Sequence, residues 1–308
     1  MNAKTSGYFV GGIAIALLGS ICFSTKAIFV KLAYRDTPVD AVSLLALRML
    51  IALPFFMAFA WATSRKEGNV RFTLKQWGYV AAVGCLGYYI SSLLDFLGLQ
   101  YISAGMERLI LFIYPTLVVL MSSLWFKEKI RGVQWLALMV TYVGLALTFV
   151  GEVSVGASDK DNFYLGALLV FACAFTFAAY VVGSGRLIPV LGAAKFNSYA
   201  MTFASLGVIT HYILTSGQSL LHFTSTVYIY SFSMAIVSTV IPSFLITEGI
   251  KRIGSGNASI VASVGPIATL VQAYIFLDEP IYALQITGTI IILCGVMLVG
   301  WKPKGNLA

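Results

Sequence analysis

Five ionisable side chains stand inside otherwise apolar stretches: Lys26, Arg48, Asp95, Glu107 and Arg108. Charge buried in such surroundings is costly unless it is paired, hydrated or turned toward a cavity. A network joining the two carboxylates to some of the three bases is therefore expected. Arg48 and Arg108 are the first candidates to contact an anionic solute and Lys26 the next; Asp95 or Glu107 would balance it or recognise an amine. Glu107 and Arg108 are adjacent, so on a helix they point about 100° apart, one free to hold a neighbouring helix while the other faces a cavity. Tyr88, Tyr89 and Tyr114 in the first half and Phe175, Tyr180 and Tyr199 in the second offer amphipathic surfaces for an organic body, although aromatics also pack helices. A purely structural salt network, with Lys26 reaching to the membrane interface, is the competing reading.

Little else in the chain suggests chemistry. There is no nucleotide-binding loop, haem pattern or catalytic dyad, and Ser184 between two glycines lacks the nucleophile-elbow pattern. His211 and His222 stand 11 residues apart, and Cys22, Cys85, Cys173 and Cys294 form neither a metal motif nor a disulfide pattern. No enzyme, cofactor, metal site or ATPase is expected.

The elements holding these side chains follow from composition. Of 308 residues 59% are hydrophobic and 10% charged, against roughly a quarter charged in a soluble globular chain. That excludes an ordinary soluble enzyme or nucleic-acid-binding domain. Apolar runs of about 20 residues indicate membrane helices rather than the short alternating strands of a barrel. Ten spans are expected, over 11–30, 41–62, 77–97, 104–126, 135–150, 164–183, 196–214, 228–247, 257–277 and 281–300. The first is too long for a signal-peptide core, contains Lys26 and has no small-residue cleavage site, so it reads as a mature helix.

Charge in the connections sets the orientation. With a cytoplasmic amino terminus, 14 of the 20 basic residues fall on cytoplasmic segments, three (Lys31, Arg35 and Lys160) on the opposite side, and three inside spans. Both termini are thus expected in the cytoplasm, and the net charge of +8 is a topology signal, not a nucleic-acid patch.

The chain also repeats itself. An offset of 151 residues pairs Leu94 with Leu245, Gly98 with Gly249, Ile102 with Ile253, Gly105 with Gly256, Pro115 with Pro266, Glu128 with Glu279, Gln134 with Gln285 and Gly144 with Gly295, without a gap. Ordered glycines, prolines and glutamates do not arise from shared hydrophobicity. Five spans per half is an odd number, so the second half crosses in the opposite sense. The expected architecture is an all-α membrane protein of ten transmembrane helices in two inverted five-helix repeats, residues 1–155 and 156–308. Such halves can alternate between inward-open and outward-open states around a site at their interface.

Pro115 and Pro266 fall within spans four and nine, where a missing donor bends or opens a helix. Pro54 and Pro242 are weaker candidates for the same effect. Gly105 and Gly256 permit close helix approach. Glu128 and Glu279, at the ends of spans four and nine, are expected to accept hydrogen bonds from the start of the following helix.

The stretches ISAGMERLILFIYPTLVVLMSSLWFKEKIRGVQWLALMVTYVGLAL and GSGNASIVASVGPIATLVQAYIFLDEPIYALQITGTIIILCGVMLVG resemble the two signatures of EamA-type proteins of the drug/metabolite transporter superfamily, and the LALR segment ending at Arg48 resembles the family pattern in the second span. The Glu107 and Arg108 pair occurs only in the first repeat. The resemblance implies a bacterial inner-membrane carrier with a central cavity, exporting amino acids or similar small metabolites. Import or exchange of sugars, amines or nucleotide-linked solutes is the alternative, and a channel or scaffold the alternative class. The expected partners are a small organic solute and membrane lipid, with a proton or counter-substrate and a homodimer left open.

Overall fold

A computed structural model describes residues 3–65, 71–127, 132–154, 160–216, 219–262 and 264–300, and these are overwhelmingly helical. Six helical stretches are long and apolar enough to cross a membrane: Tyr8–Asp36, Ala41–Ser64, Leu74–Gly98, Ala104–Trp125, Asn162–Gly185 and Ser225–Ile246. Three shorter apolar helices accompany them, Leu138–Gly151, Gly265–Leu277 and Ala283–Gly295. Large apolar side chains stay on the outside, Leu124, Leu214, Met139 and Leu168 among them. In water such a surface would aggregate; against lipid it is solvated.

In chain order the α-helices are α1 (Ala3–Asp36), α2 (Ala41–Ser64), α3 (Leu74–Gly84), α4 (Ser91–Gly98), α5 (Ala104–Leu111), α6 (Tyr114–Phe126), α7 (Gly132–Ser154), α8 (Lys160–Leu191), α9 (Ala193–Thr215), α10 (Ser225–Ala235), α11 (Ile241–Ala262), α12 (Gly265–Leu277) and α13 (Ala283–Gly300). Their starts are written in the sequence. Asp40 accepts from the amides of Val42 and Ser43, Thr73 and Gln76 form a reciprocal capping box, and Ser103 accepts from Met106 N.

Local irregularities recur at the 151-residue offset. A π-turn over Cys85–Ile90 joins α3 to α4, and another over Ile236–Val240 joins α10 to α11. The chain breaks before Tyr114 and again before Gly265, with Pro115 and Pro266 in the first turns of α6 and α12, where proline's missing amide costs nothing. Both helices end on a non-glycine residue in the left-handed region, Lys127 at φ 55° and Asp278 at φ 57°. Pro54, by contrast, lies inside α2 without ending it, and Pro242 sits in the first turn after the second π-turn.

One boundary differs from expectation. Helical hydrogen bonding in α11 continues through Ala262, past the expected end of span eight near residue 247. The contacts with α1 nevertheless show the chain turning back. Ile246 lies against Gly19, Gly249 against Ala16 and Ile253 against Gly12, whereas Gly265 is bonded by Ser24 and Phe276 by Arg35. The reversal thus falls between Ile253 and Gly265.

The tightest approach is between α7 and α13. A Cβ on Gly144 would stand 2.8 Å from the carbonyl oxygen of Gly288, and one on Gly288 would stand 2.0 Å from Thr148 Oγ1 and 2.6 Å from Gly144 O. Backbone atoms cannot yield as a flexible side chain can. Gly288→Ala is expected to lower stability by about 1–3 kcal/mol. Gly78→Ala, where a Cβ meets nothing within 4 Å, should be neutral or mildly stabilising. Thermal unfolding of the two variants in detergent compares them directly.

Candidate functional site

The buried charges meet between α1, α2, α4 and α5. Lys26 extends from α1 to Asp95 at 2.6 Å and Glu107 at 3.3 Å, and both carboxylates are essentially inaccessible, 1% and 0% exposed. Arg48, on α2, donates from Nε to Thr239 Oγ1 at 3.0 Å and lies 5.5 Å from the Phe96 ring centre. Arg108, on α5, donates from Nη2 to Ser24 Oγ at 3.3 Å and lies 5.2 Å from the Phe23 ring centre. Ser24 in turn donates to the carbonyl of Gly265. A Cβ on Gly265 would stand 2.6 Å from Arg108 Nη2, so the guanidinium occupies the space glycine leaves at the start of α12.

Three cations face two carboxylates, leaving one positive charge without an internal counterion. Arg48 Nη1 and Arg108 Nε are buried donors without a hydrogen-bond partner, and Asp95 Oδ1 and Glu107 Oε2 are buried acceptors in the same condition. A buried polar group normally has its partner. The site is therefore equipped for a ligand that brings an anionic group, and its free acceptors can serve an ammonium.

Arg48 and the opposite side of the molecule are related through the π-turns. Arg48 reaches the second π-turn at Thr239; in the first π-turn Tyr88 donates to Asn197 Oδ1 at 2.9 Å and accepts from Tyr180 at 3.2 Å. Thr239 and Tyr88 are images at the 151-residue offset. One π-turn thus carries a guanidinium and the other a phenol–amide chain. Beside Asn197 lies a cavity of about 230 Å³ lined by Phe56, Phe59, Ser198, Ser243, Phe244 and Glu248. Ser243 is one turn along from Thr239, which places the head of this cavity close to the residue holding Arg48.

Of the other expected residues, Tyr114 packs against Phe112 and Phe177, Tyr89 stands 5.8 Å from the His211 ring, and Tyr199 bonds Ser64 at 2.9 Å beside Trp77 and Phe72. Tyr114 also lies within electrostatic reach of Arg108, whereas Tyr89 and Tyr199 make no hydrogen bond to the charged set among the described residues. Phe175, on α8, is half exposed, while Cys173, Ala174 and Ala178 of the same helix are buried. Gly256 lies within α11, and Glu128 lies outside the described residues.

Glu279 also departs from expectation. Its carboxylate accepts from the amides of Ala104 at 3.0 Å and Gly105 at 3.4 Å, so it caps α5 rather than the helix that follows it. A Cβ on Gly105 would stand 2.7 Å from both Gln285 Nε2 and Leu270 Cδ2. Thr239, Ser24, Asn197 and Gly265 escaped the sequence reading because they carry no charge. The repeat offered one clue, since 151 residues beyond Tyr88 lies Thr239.

Comparison with known proteins places this arrangement. The sequence model of the EamA-like transporter family matches residues 10–150 and again 164–301. An uncharacterized transporter, YcbK, of Bacillus subtilis (strain 168) is 31% identical over 90% of this chain and 88% of its own length. The biotin transporter of Escherichia coli (strain K12) is 24% identical, with 85% of each chain covered. A protein of known crystal structure superposes with a TM-score of 0.63 at 18% identity, covering 94% of this chain and 97% of the other; this likeness concerns the fold. With two matches that together take in most of its length, the chain belongs to the EamA-like transporter family and is a membrane transporter, not an enzyme.

Proposed function

We propose that the protein is a secondary carrier for small organic metabolites bearing a carboxylate, with amino acids first, and that it exports them by alternating access. The coexistence of unpartnered donors and unpartnered acceptors in the buried set carries this reading. A carboxylate would accept from Arg48 Nη1 and Arg108 Nε, and Asp95 Oδ1 and Glu107 Oε2 would take the amine. The setting is a bacterial inner membrane crossed ten times, with two inverted five-helix halves and both termini cytoplasmic. The excess of basic residues in the connections on that side supports the orientation.

A second reading, a monocarboxylate with a neutral body, is favoured by the net positive charge of the site and by the name of the Escherichia coli relative. A matched series separates the two readings. An amino acid, its deaminated acid and its decarboxylated amine are offered to purified protein in lipid vesicles, and binding and flux are measured. The amino acid and the acid should bind while the amine should not, and a preference for the amino acid over the acid selects the first reading. Binding of the amine alone would overturn both. Saturable flux separates a carrier from a scaffold, and an imposed pH gradient tests whether Asp95 and Glu107 couple transport to protons.

A further inference from the structure

Away from the buried charges, the end of α2, the start of α3 and the start of α9 meet at an aromatic cluster. Ser64 is bonded to the Tyr199 hydroxyl at 2.9 Å, and the Tyr199 ring lies 4.6 Å from Trp77 and 5.6 Å from Phe72. Phe72 in turn packs 4.7 Å from Trp77 and carries the Lys195 ammonium 4.2 Å from its ring centre. Arg65 follows Ser64 in the chain, Arg71 precedes Phe72, and Lys75 stands two residues before Trp77. The ring contacts therefore bring three exposed bases to the rim of one cluster.

These bases lack the compensation found at other helix ends. Arg35 and Arg252 pair with Asp36 and Glu248. Arg71 and Lys75 have neither a hydrogen bond nor an ion pair among the described residues, and the contact of the Arg65 guanidinium is the Trp61 ring, 3.9 Å away. Residues 65–75 contain four bases against one acid, Glu67, for a net charge of +3. Large apolar side chains stand exposed beside them: Leu74 is 88% exposed, and Trp61 and Tyr79 more than half. A free anion in water would use the bases and leave Leu74 unsolvated. A phospholipid uses both, its phosphate on the bases and its glycerol and upper acyl carbons on Leu74 and Trp61. Tryptophan and tyrosine suit the same level of the bilayer.

We infer that Arg65, Arg71 and Lys75, set around Trp61 and Leu74, form a site for the head group of an anionic phospholipid. Each base can give charge-assisted hydrogen bonds to the phosphodiester oxygens, two of them through guanidinium forks. The orientation proposed above puts this end of α2 in the cytoplasmic leaflet. An occupied site fastens α2 to α3 at the end where Tyr199 already joins both to α9, the helix that bears Asn197, the acceptor of Tyr88. Binding to the folded chain alone then stabilises it.

The test uses the purified full chain in detergent. Phosphatidylglycerol, phosphatidylcholine and inorganic phosphate are titrated separately, bound lipid is counted by native mass spectrometry, and the unfolding temperature is followed. Phosphatidylglycerol should bind saturably and raise the unfolding temperature, whereas phosphatidylcholine should do neither. Arg71→Gln combined with Lys75→Gln should weaken phosphatidylglycerol binding about 30-fold, and Arg65→Gln alone about fivefold. Lys302→Gln combined with Lys304→Gln, an equal loss of charge elsewhere in the chain, should change it by less than about twofold. Leu74→Ser should weaken the lipid several-fold, through lost acyl contact. Equal weakening by the Lys302 and Lys304 pair overturns the inference, and so does equal binding of phosphatidylcholine. A rise in unfolding temperature with phosphate as large as with the lipid also overturns it, because the site would then be one for a free anion.

The substituted side chains are exposed, so the unfolding temperature without lipid should stay that of the parent. Should the Arg71 and Lys75 pair lower it, Lys75→Gln alone, expected at about fivefold, takes its place. Binding in detergent is blind to the side of the membrane, so it stands or falls apart from the orientation. Labelling of Lys75→Cys by an impermeant maleimide in oriented vesicles, with the native cysteines replaced by alanine, reports the side alone.

Discussion

Lys26→Ala is expected to cost the folded protein about 3–5 kcal/mol, the range measured when one partner of a buried ion pair is removed. Lys26 is the cation in contact with both Asp95 and Glu107, at 2.6 and 3.3 Å, and neither carboxylate has another base within ion-pair distance among the described residues. Its loss leaves two acidic groups together in a region where water does not reach. The measurement is thermal unfolding in detergent, together with the yield of monodisperse protein. The combined change of Lys26→Met, Asp95→Asn and Glu107→Gln should recover most of that stability while abolishing transport, since it removes the two carboxylates together with the cation they share without restoring the site. A Lys26→Ala protein as stable as the parent would show that the three charges do not depend on one another.

That network marks how far the sequence could be read. Five charges in apolar stretches announced a buried cluster, and the directions of the spans brought them to one side of the molecule. The pairing was not legible, because it depends on how α1, α4 and α5 rotate about their own axes. Hydrocarbon and helix interior are equally apolar, so nothing in a membrane span's sequence distinguishes an aromatic facing lipid from one facing a cavity. Glu279 was assigned to the next helix along the chain because sequence shows only neighbours in order; its partner, α5, lies some 175 residues away. The repeat, by contrast, was read from identities alone, and the structure adds three geometric matches at the same offset: the π-turns, the proline breaks and the left-handed ends.

Substitution of Arg48 is expected to have the largest effect on binding. Arg48→Ala should weaken the affinity for a carboxylate solute by roughly 30- to 5,000-fold, the range that follows from removing a buried, hydrogen-bonded charge from a recognition site. Arg48→Lys should recover little of this. The guanidinium spends Nε on Thr239 and stacks near Phe96 while Nη1 remains available, and a lysine ammonium cannot divide its donors in that fixed plane. Thr239→Val should cost only a few-fold, since it loosens the orientation of Arg48 without removing the charge. Competition binding with purified protein measures all three. Equal affinity in Arg48→Lys would mean that charge alone is recognised, and unchanged affinity in Arg48→Ala would assign the anion to Arg108 instead.

The two π-turns have a consequence for the history of the chain. A π-turn is an α-helix that has accepted one extra residue and absorbed it locally. Cys85–Ile90 and Ile236–Val240 hold that extra residue at the same place in each half, and their shared position, Tyr88 in one and Thr239 in the other, has since diverged into a phenol and a small hydroxyl. An insertion found at one position in both copies is most simply explained as a single event. The ancestral five-helix unit then already carried its π-turn before it was doubled, and the difference between a cationic partner, Arg48 on Thr239, and a neutral one, Asn197 on Tyr88, arose afterwards.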